Sequence, residues 1–362
     1  MPSLISDSDM IYLRASPIPR ALESLQQTFW GLYPPSSRTS DFPPPTILVR
    51  SPADETLYPN DSNCRRFAQL SRAFAQRAAD RWNDTDDMKY LTKLMGKWLS
   101  PNSPIVAVDG HPRLSGIMDT INSTLAHGPE TRLPKEFYDE KGREIIDKIG
   151  VEEWFAGYTE SREYRMLGIG ALAADIVTRM VGNVERSGRD GLIEIGGNDG
   201  DLGHGRGGEK HIKFALSGCH DTSLAGLLSS LGTYEDGGMK WPPYTSHVAV
   251  ELFRKTDWTP SATTKPLSAS TQSPENQSWW AALFGTSKEG LKGELPKSEG
   301  IQRRPMADLS EDEKKKLDGY YVRVRFNDQA MQIPGCKAEG KHWEGDTTFC
   351  TCLLYTSPSP RD

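Results

Sequence analysis

The sequence predicts a layered α/β domain carrying a separate, mostly helical subdomain. Strand candidates, each followed at once by a turn and a helix, lie towards both ends of the chain, at Asp9–Arg14 and Lys210–Ser217. Residues 62–185, between them, show helical periodicity and no clear strand run. Strands feeding helices at two separated places, with a helical block between, are the pattern of an α/β layer interrupted by an α insertion. The length of 362 residues is enough for one large domain or two ordinary ones. The hydrophobic fraction of 36% and the mean hydropathy of −0.58 are low for a compact fold, so part of the chain is expected to be loop.

Taken in order, Asp9–Arg14 (DMIYLR) reads as a buried strand, and Ala15–Arg20 (ASPIPR) as a strand-to-helix turn with Ser16 as N-cap and prolines in the first turn. The helix that follows extends to about Trp30. Pro34–Pro45 is loop, and Thr46–Arg50 (TILVR) is a short strand. Asn63–Trp82 is a helix, because Phe67, Leu70, Phe74, Ala78 and Trp82 recur at three- and four-residue steps. Helices are also expected over Met88–Leu99, Leu114–Ala126, Lys141–Thr159 and Ser161–Val184. A glycine-rich loop, Ser187–Glu209, precedes the strand Lys210–Ser217, in which Ile212, Phe214 and Leu216 alternate. Thr222–Leu231 is a helix with Leu224, Leu227, Leu228 and Leu231 on one side, and Ser246–Arg254 is a further strand. Thr259–Asp318, rich in Ser, Thr, Pro, Lys and Glu, is expected to be a long, largely disordered insertion. Tyr320–Phe326 is a strand, with Asn327-Asp328 as the turn to a hairpin return at Ala330–Ile333.

Composition narrows the function. With 43 basic and 49 acidic side chains the formal charge is −6, which argues against a nucleic-acid binder held by phosphate contacts. Small anionic ligands remain compatible with it, because a local arginine pocket can oppose the global sign. The most apolar stretch, Met166–Val184, contains Asp175 and Arg179 and reads as a buried amphipathic helix, not a membrane span. The five cysteines suggest neither a disulfide scaffold nor a tetrahedral zinc site; Cys336 and Cys350 can pair or can both be buried thiols. Gly203–Gly208 matches G-x-G-x-x-G but leads into a strand, so the dinucleotide reading fails. Four sequons begin at Asn60, Asn83, Asn122 and Asn276.

Chemistry gathers at two strand-to-helix turns. Arg14 closes one strand, and His220-Asp221 follow another. Ligands of open α/β sheets bind at the carboxyl ends of strands, where helix N-termini present free N–H groups to anions. An arginine can grip a phosphate through two parallel N–H donors, a histidine adds another, and an adjacent acid can protonate a leaving alcohol. Tyr12–Ser24 (YLRASPIPRALES) resembles the Arg-x-Ser-x-x-x-Arg signature of the histidine acid phosphatases, and Ser217–Leu224 (SGCHDTSL) their His-Asp signature. The nearest branch is that of fungal phosphoglycerate-mutase-like and lysophosphatidic acid phosphatase-like proteins. Similar runs continue at Trp241–His247, Tyr321–Asp328 and Ile333–Cys336, so the likeness covers most of residues 9–351 outside the 259–318 insertion.

The resemblance implies a phosphoglycerate mutase-like fold and phosphomonoester hydrolysis in two steps, through a phosphohistidine that water then cleaves. It implies that Arg14 binds the substrate phosphate, that His220 contacts its oxygens, and that Asp221 is the proton donor. It implies no metal or other cofactor and a phosphorylated small-molecule or lipid substrate. Arg20 is expected to support the turn electrostatically, and Cys219 to be a packing residue. The family's nucleophile lies in an earlier Arg-His-Gly-x-Arg-x-Pro run, and none of the seven histidines sits in one. The chain is therefore expected to be an incomplete domain, residues 1–351, with little or no turnover. A pseudo-phosphatase that binds a phosphorylated ligand is the alternative. Residues 352–362 (CLLYTSPSPRD) resemble translated sequencing-adapter sequence and are set apart from the domain.

Overall fold

The computed structural model describes residues 4–5, 11–185, 212–234, 238–255, 301 and 308–355. The first strand, β1 (Ile11–Ala15), is buried along its whole length. It is the centre of a parallel sheet ordered β2-β1-β3, flanked by β2 (Ile47–Val49) and β3 (Phe214–Gly218). A central parallel strand is covered on both faces, which is why its sequence runs apolar almost without alternation. The expected alternation in β3 does not translate into a buried face: Phe214 is 41% exposed. This strand is the outer one of its sheet and, among the described residues, pairs only with β1.

Helix α1 (Pro19–Leu32) packs Ala21, Leu25 and Phe29 inward, and the last two join the β1 side chains in one cluster. Its N-cap is Ile18, without a side-chain cap, so the expectation for Ser16 is corrected. Pro19 at the first helical position lacks an N–H that would otherwise be unsatisfied, so a cap there matters less. The Ser16 hydroxyl is used elsewhere.

The helical region contains α2 (Arg65–Trp82), α3 (Asp86–Met95), α4 (Leu114–His127) and α5 (Glu140–Glu160), which enclose Met88, Leu91, Leu114, Ile117 and Ile149. The single helix expected over Ser161–Val184 is two, α6 (Arg162–Gly168) and α7 (Gly170–Glu185), bent by 68°. Glycines on both sides of Ile169 weaken the helix there. A Cβ on Gly168 would stand 2.4 Å from the Phe67 ring, so the close approach of α6 to α2 requires glycine. No single helix among the described residues is long and apolar enough to cross a membrane.

Helix α8 (Asp221–Leu231) follows β3 and ends at Gly232, whose φ of 72° suits the left-handed position after a helix. A second, antiparallel sheet is built on β4 (Val248–Arg254) and β5 (Tyr320–Phe326). The turn after β5 has positive φ at Asn327 (44°) and Asp328 (69°), leading into β6 (Gln329–Ala330). Strands β7 (His342–Trp343) and β8 (Asp346–Thr351) complete the sheet, and a Cys336–Cys350 disulfide ties β8 to the turn before β7.

The stretch expected to be disordered ends in order. Ser310 and Glu313 form a capping box on α9 (Glu311–Lys315), and Leu309 and Leu317 beside it are buried. Residues 256–300, the Trp279-Trp280 patch and the Asn276 sequon among them, lie outside the described residues, as does the loop 186–211. Of the segment set apart as foreign, Cys352–Tyr355 form a short helix, α10, with Cys352 fully buried, and 356–362 lie outside the described residues.

Candidate active site

The register of β1 and β3 creates the site. Arg14 stands opposite Ser217 and Ala15 opposite Gly218, so both strands end at one edge. The Ser16 N–H donates to the Gly218 carbonyl at 3.1 Å, carrying the contact one residue past the strands. Glycine is required at 218: a Cβ there would lie 2.5 Å from the Ala21 carbonyl oxygen of α1. The two turns singled out in the sequence therefore meet, and α1 and α8 both begin at their meeting point.

His220 is the N-cap residue of α8, in extended conformation. Its Nε2 lies 2.8 Å from the Ser16 Oγ, and its ring centroid 6.1 Å from that of Tyr58. Burial holds the imidazole below its ordinary pKa and the Arg20 charge lowers it further, against the carboxylates of Asp221 and Glu55. Asp221 is the first residue of α8, where a negative side chain is favoured. One carboxylate oxygen accepts from the Thr222 N–H at 2.7 Å and the other from the indole Nε1–H of Trp241 at 2.7 Å. Trp241 packs against the Phe155 ring of α5 at 5.0 Å and touches the cores of both the sheet region and the helical region. The beginning of α8 is thus held from the helical side as well as from the sheet.

Arg14 lies beneath, 2% exposed. Its guanidinium is taken up by protein groups: it pairs with Glu55, lies 3.2 Å from Asp175 and donates to the Thr56 hydroxyl at 2.9 Å. Asp175 is also bound by Arg50 at 2.8 Å, and the Glu55 carboxylate by the N–H groups of Thr56 and Leu57 at 2.7 and 2.6 Å. Burial works against the Asp175 carboxylate, yet the Thr56 hydroxyl and the two arginines hold its pKa below the usual value. Arg14 and Arg50 against Glu55 and Asp175 make a cluster of no net charge.

The structure thus brings together His220, Asp221 and the turn after Arg14, and sets the Arg14 side chain among carboxylates. Ser16, Glu55, Asp175 and Trp241 were not assigned to the site by the sequence reading. Asp175 carried a signal, as a charge in the most apolar helix; Glu55, in a polar loop, carried none. Burial pushes the Cys219 thiol up to about 11, so at neutral pH it is protonated and poorly nucleophilic.

Comparison with known proteins agrees in kind. The family described as histidine phosphatase superfamily (branch 2) matches residues 2–273. A probable acid phosphatase of Schizosaccharomyces pombe is 30% identical over 355 residues, covering 98% of this chain and 67% of the relative. The testicular acid phosphatase of Mus musculus is 27% identical over 255 residues, 67% of this chain and 51% of that protein.

Proposed function

This chain belongs to the histidine phosphatase superfamily, branch 2, and from that premise we propose that it is the greater part of an acid phosphatase-like phosphomonoester hydrolase whose nucleophile is not among its 362 residues. The observation that carries the reading is the pairing of β1 with β3, with His220 2.8 Å from Ser16 across the shared edge.

In the proposed mechanism the phosphate group of the substrate docks at this edge, between the first turns of α1 and α8. His220 donates a hydrogen bond to a phosphate oxygen. Asp221 gives its proton to the leaving oxygen as the ester bond breaks, held in place for this by Trp241 and Thr222. The phosphoryl group would be taken by a histidine from an Arg-His-Gly-x-Arg-x-Pro run, and water would then release it. Arg14 holds the phosphate in this scheme once it exchanges a carboxylate partner for it. No cofactor is part of the mechanism.

The absence of that run from the sequence favours a second reading, a protein that binds a phosphorylated ligand without turning it over. Hydrolysis of p-nitrophenyl phosphate at acidic pH tests the proposal. This chain is expected to show none or a trace. Robust hydrolysis that disappears in Asp221→Ala would overturn the claim that the missing histidine is indispensable.

A further inference from the structure

We infer that Tyr244, at the tip of the turn between Trp241 and β4, is a specificity residue of the site: it offers its ring to the leaving group of the substrate, which makes an aryl phosphomonoester the preferred class. The inference rests on the phosphatase reading above and deepens it. In that reading the phosphate docks between the first turns of α1 and α8, and Asp221 protonates the leaving oxygen. Whatever that oxygen carries extends past Asp221, away from the sheet edge. The Asp221 carboxylate is bonded to the Trp241 indole at 2.7 Å. Tyr244 follows Trp241 by three residues, a stretch of chain that spans at most about 11 Å. The turn that leaves Trp241 therefore borders the path of the leaving group.

Three observations set Tyr244 apart. The first is that its ring is unused. It is 56% exposed, and among the described residues it lies against no other ring and its hydroxyl makes no hydrogen bond. The exposed rings of Trp154, Phe253 and Trp343 each pack on another aromatic side chain. The second is its place. Its phenol is raised above the ordinary pKa, first by partial burial and then by the carboxylates of Asp119, on α4, and Asp221, so it stands between the helical region and the start of α8. The third is strain. The Ser246 N–H donates to the Pro243 carbonyl at 3.2 Å, closing a four-residue turn with Tyr244 and Thr245 at its centre. Thr245 has a φ of 67°, where glycine is usual and a β-branched residue is an outlier. The turn is braced on both sides: Pro242 and Pro243 stiffen its approach, and the Asn327 side chain accepts from the His247 N–H at 2.9 Å and donates to the Ser246 hydroxyl at 3.1 Å. Strain of this kind collects where a side chain has to be held in one place. The core gains little from a ring so exposed. A second ring gains a platform, because a tyrosine already fixed by its backbone loses little freedom on stacking.

Calorimetric titration of the full chain with benzylphosphonate and with methylphosphonate tests this. Both carry the same head group, and neither has an ester bond to hydrolyse. The parent is expected to bind benzylphosphonate about tenfold more tightly. Tyr244→Ala is expected to bind the two alike, with the parent's affinity for methylphosphonate, and Tyr244→Phe to keep the preference. Trp30→Ala, which removes a 55% exposed ring from α1, is expected to behave as the parent does. Four results would overturn the inference while leaving the phosphatase reading in place: equal binding of the two phosphonates by the parent, survival of the preference in Tyr244→Ala, an equal loss of both ligands in that variant, or loss of the preference in Trp30→Ala. A parent chain that binds neither phosphonate would overturn both. Because the Tyr244 ring is exposed and unbonded, unfolding curves of its variants are expected to coincide with the parent's, so a lost preference reports on the site and not on folding.

Discussion

At the scale of single residues, the site is a set of side chains whose charge states are set by what touches them. His220 is the clearest case. Burial disfavours its imidazolium and Arg20 adds to the effect, so its pKa in the folded chain lies below the ordinary 6.5. The folded state therefore loses stability as pH falls below that ordinary value, because the unfolded chain takes up the proton more readily; above it the group contributes nothing to the pH dependence. Urea unfolding between neutral and acidic pH is expected to show a shallower acid-side decline in His220→Gln than in the parent. Parallel curves would contradict the cause assigned here. The identity of this residue was legible in the sequence, since the Ser217–Leu224 run marks it directly. Its partner Ser16 was legible only as a helix cap, because a hydroxyl beside a proline turn looks the same whether it caps its own helix or reaches a residue 204 positions away. Arg14 was legible as the charge at a strand's carboxyl end, but its burial and its pairing with Glu55 and Asp175 were not, since the three lie far apart in the sequence.

At the scale of elements, the site depends on how closely α1 can lie against the end of β3. Gly218 sets that distance. Gly218→Ala would force a Cβ to within 2.5 Å of the Ala21 carbonyl, which is backbone and cannot turn aside. The expected cost is roughly 1–3 kcal/mol of stability by denaturant titration, together with loss of phosphate binding, because the same shift parts Ser16 from His220. An alanine variant with unchanged stability and binding would mean that α1 and β3 do not meet as described. The periodicity of Phe67, Leu70, Phe74, Ala78 and Trp82 located α2 well, since an amphipathic helix writes its buried face into its spacing. The break at Ile169 was missed for the same reason: apolar spacing continues across it, and only contact with Phe67 shows why the chain must turn.

At the scale of the whole molecule, the parallel sheet, α8 and the helical region meet at one edge. The parallel sheet provides Arg14, the turns leaving β1 and β3 provide Ser16 and His220, α8 provides Asp221, and Trp241 ties Asp221 to α5. Family resemblance gave this order of motifs; it could not give the neutral carboxylate–arginine cluster beneath, which depends on tertiary packing alone. The central claim is that the shared edge of β1 and β3 is a seat for a phosphate group even though the chain has no Arg-His-Gly-x-Arg-x-Pro run. A crystal structure of the full chain grown with inorganic phosphate tests it most directly. The account predicts a phosphate between the first turns of α1 and α8, within hydrogen-bond reach of His220. A phosphate bound elsewhere, with His220 making no contact to it, would contradict it.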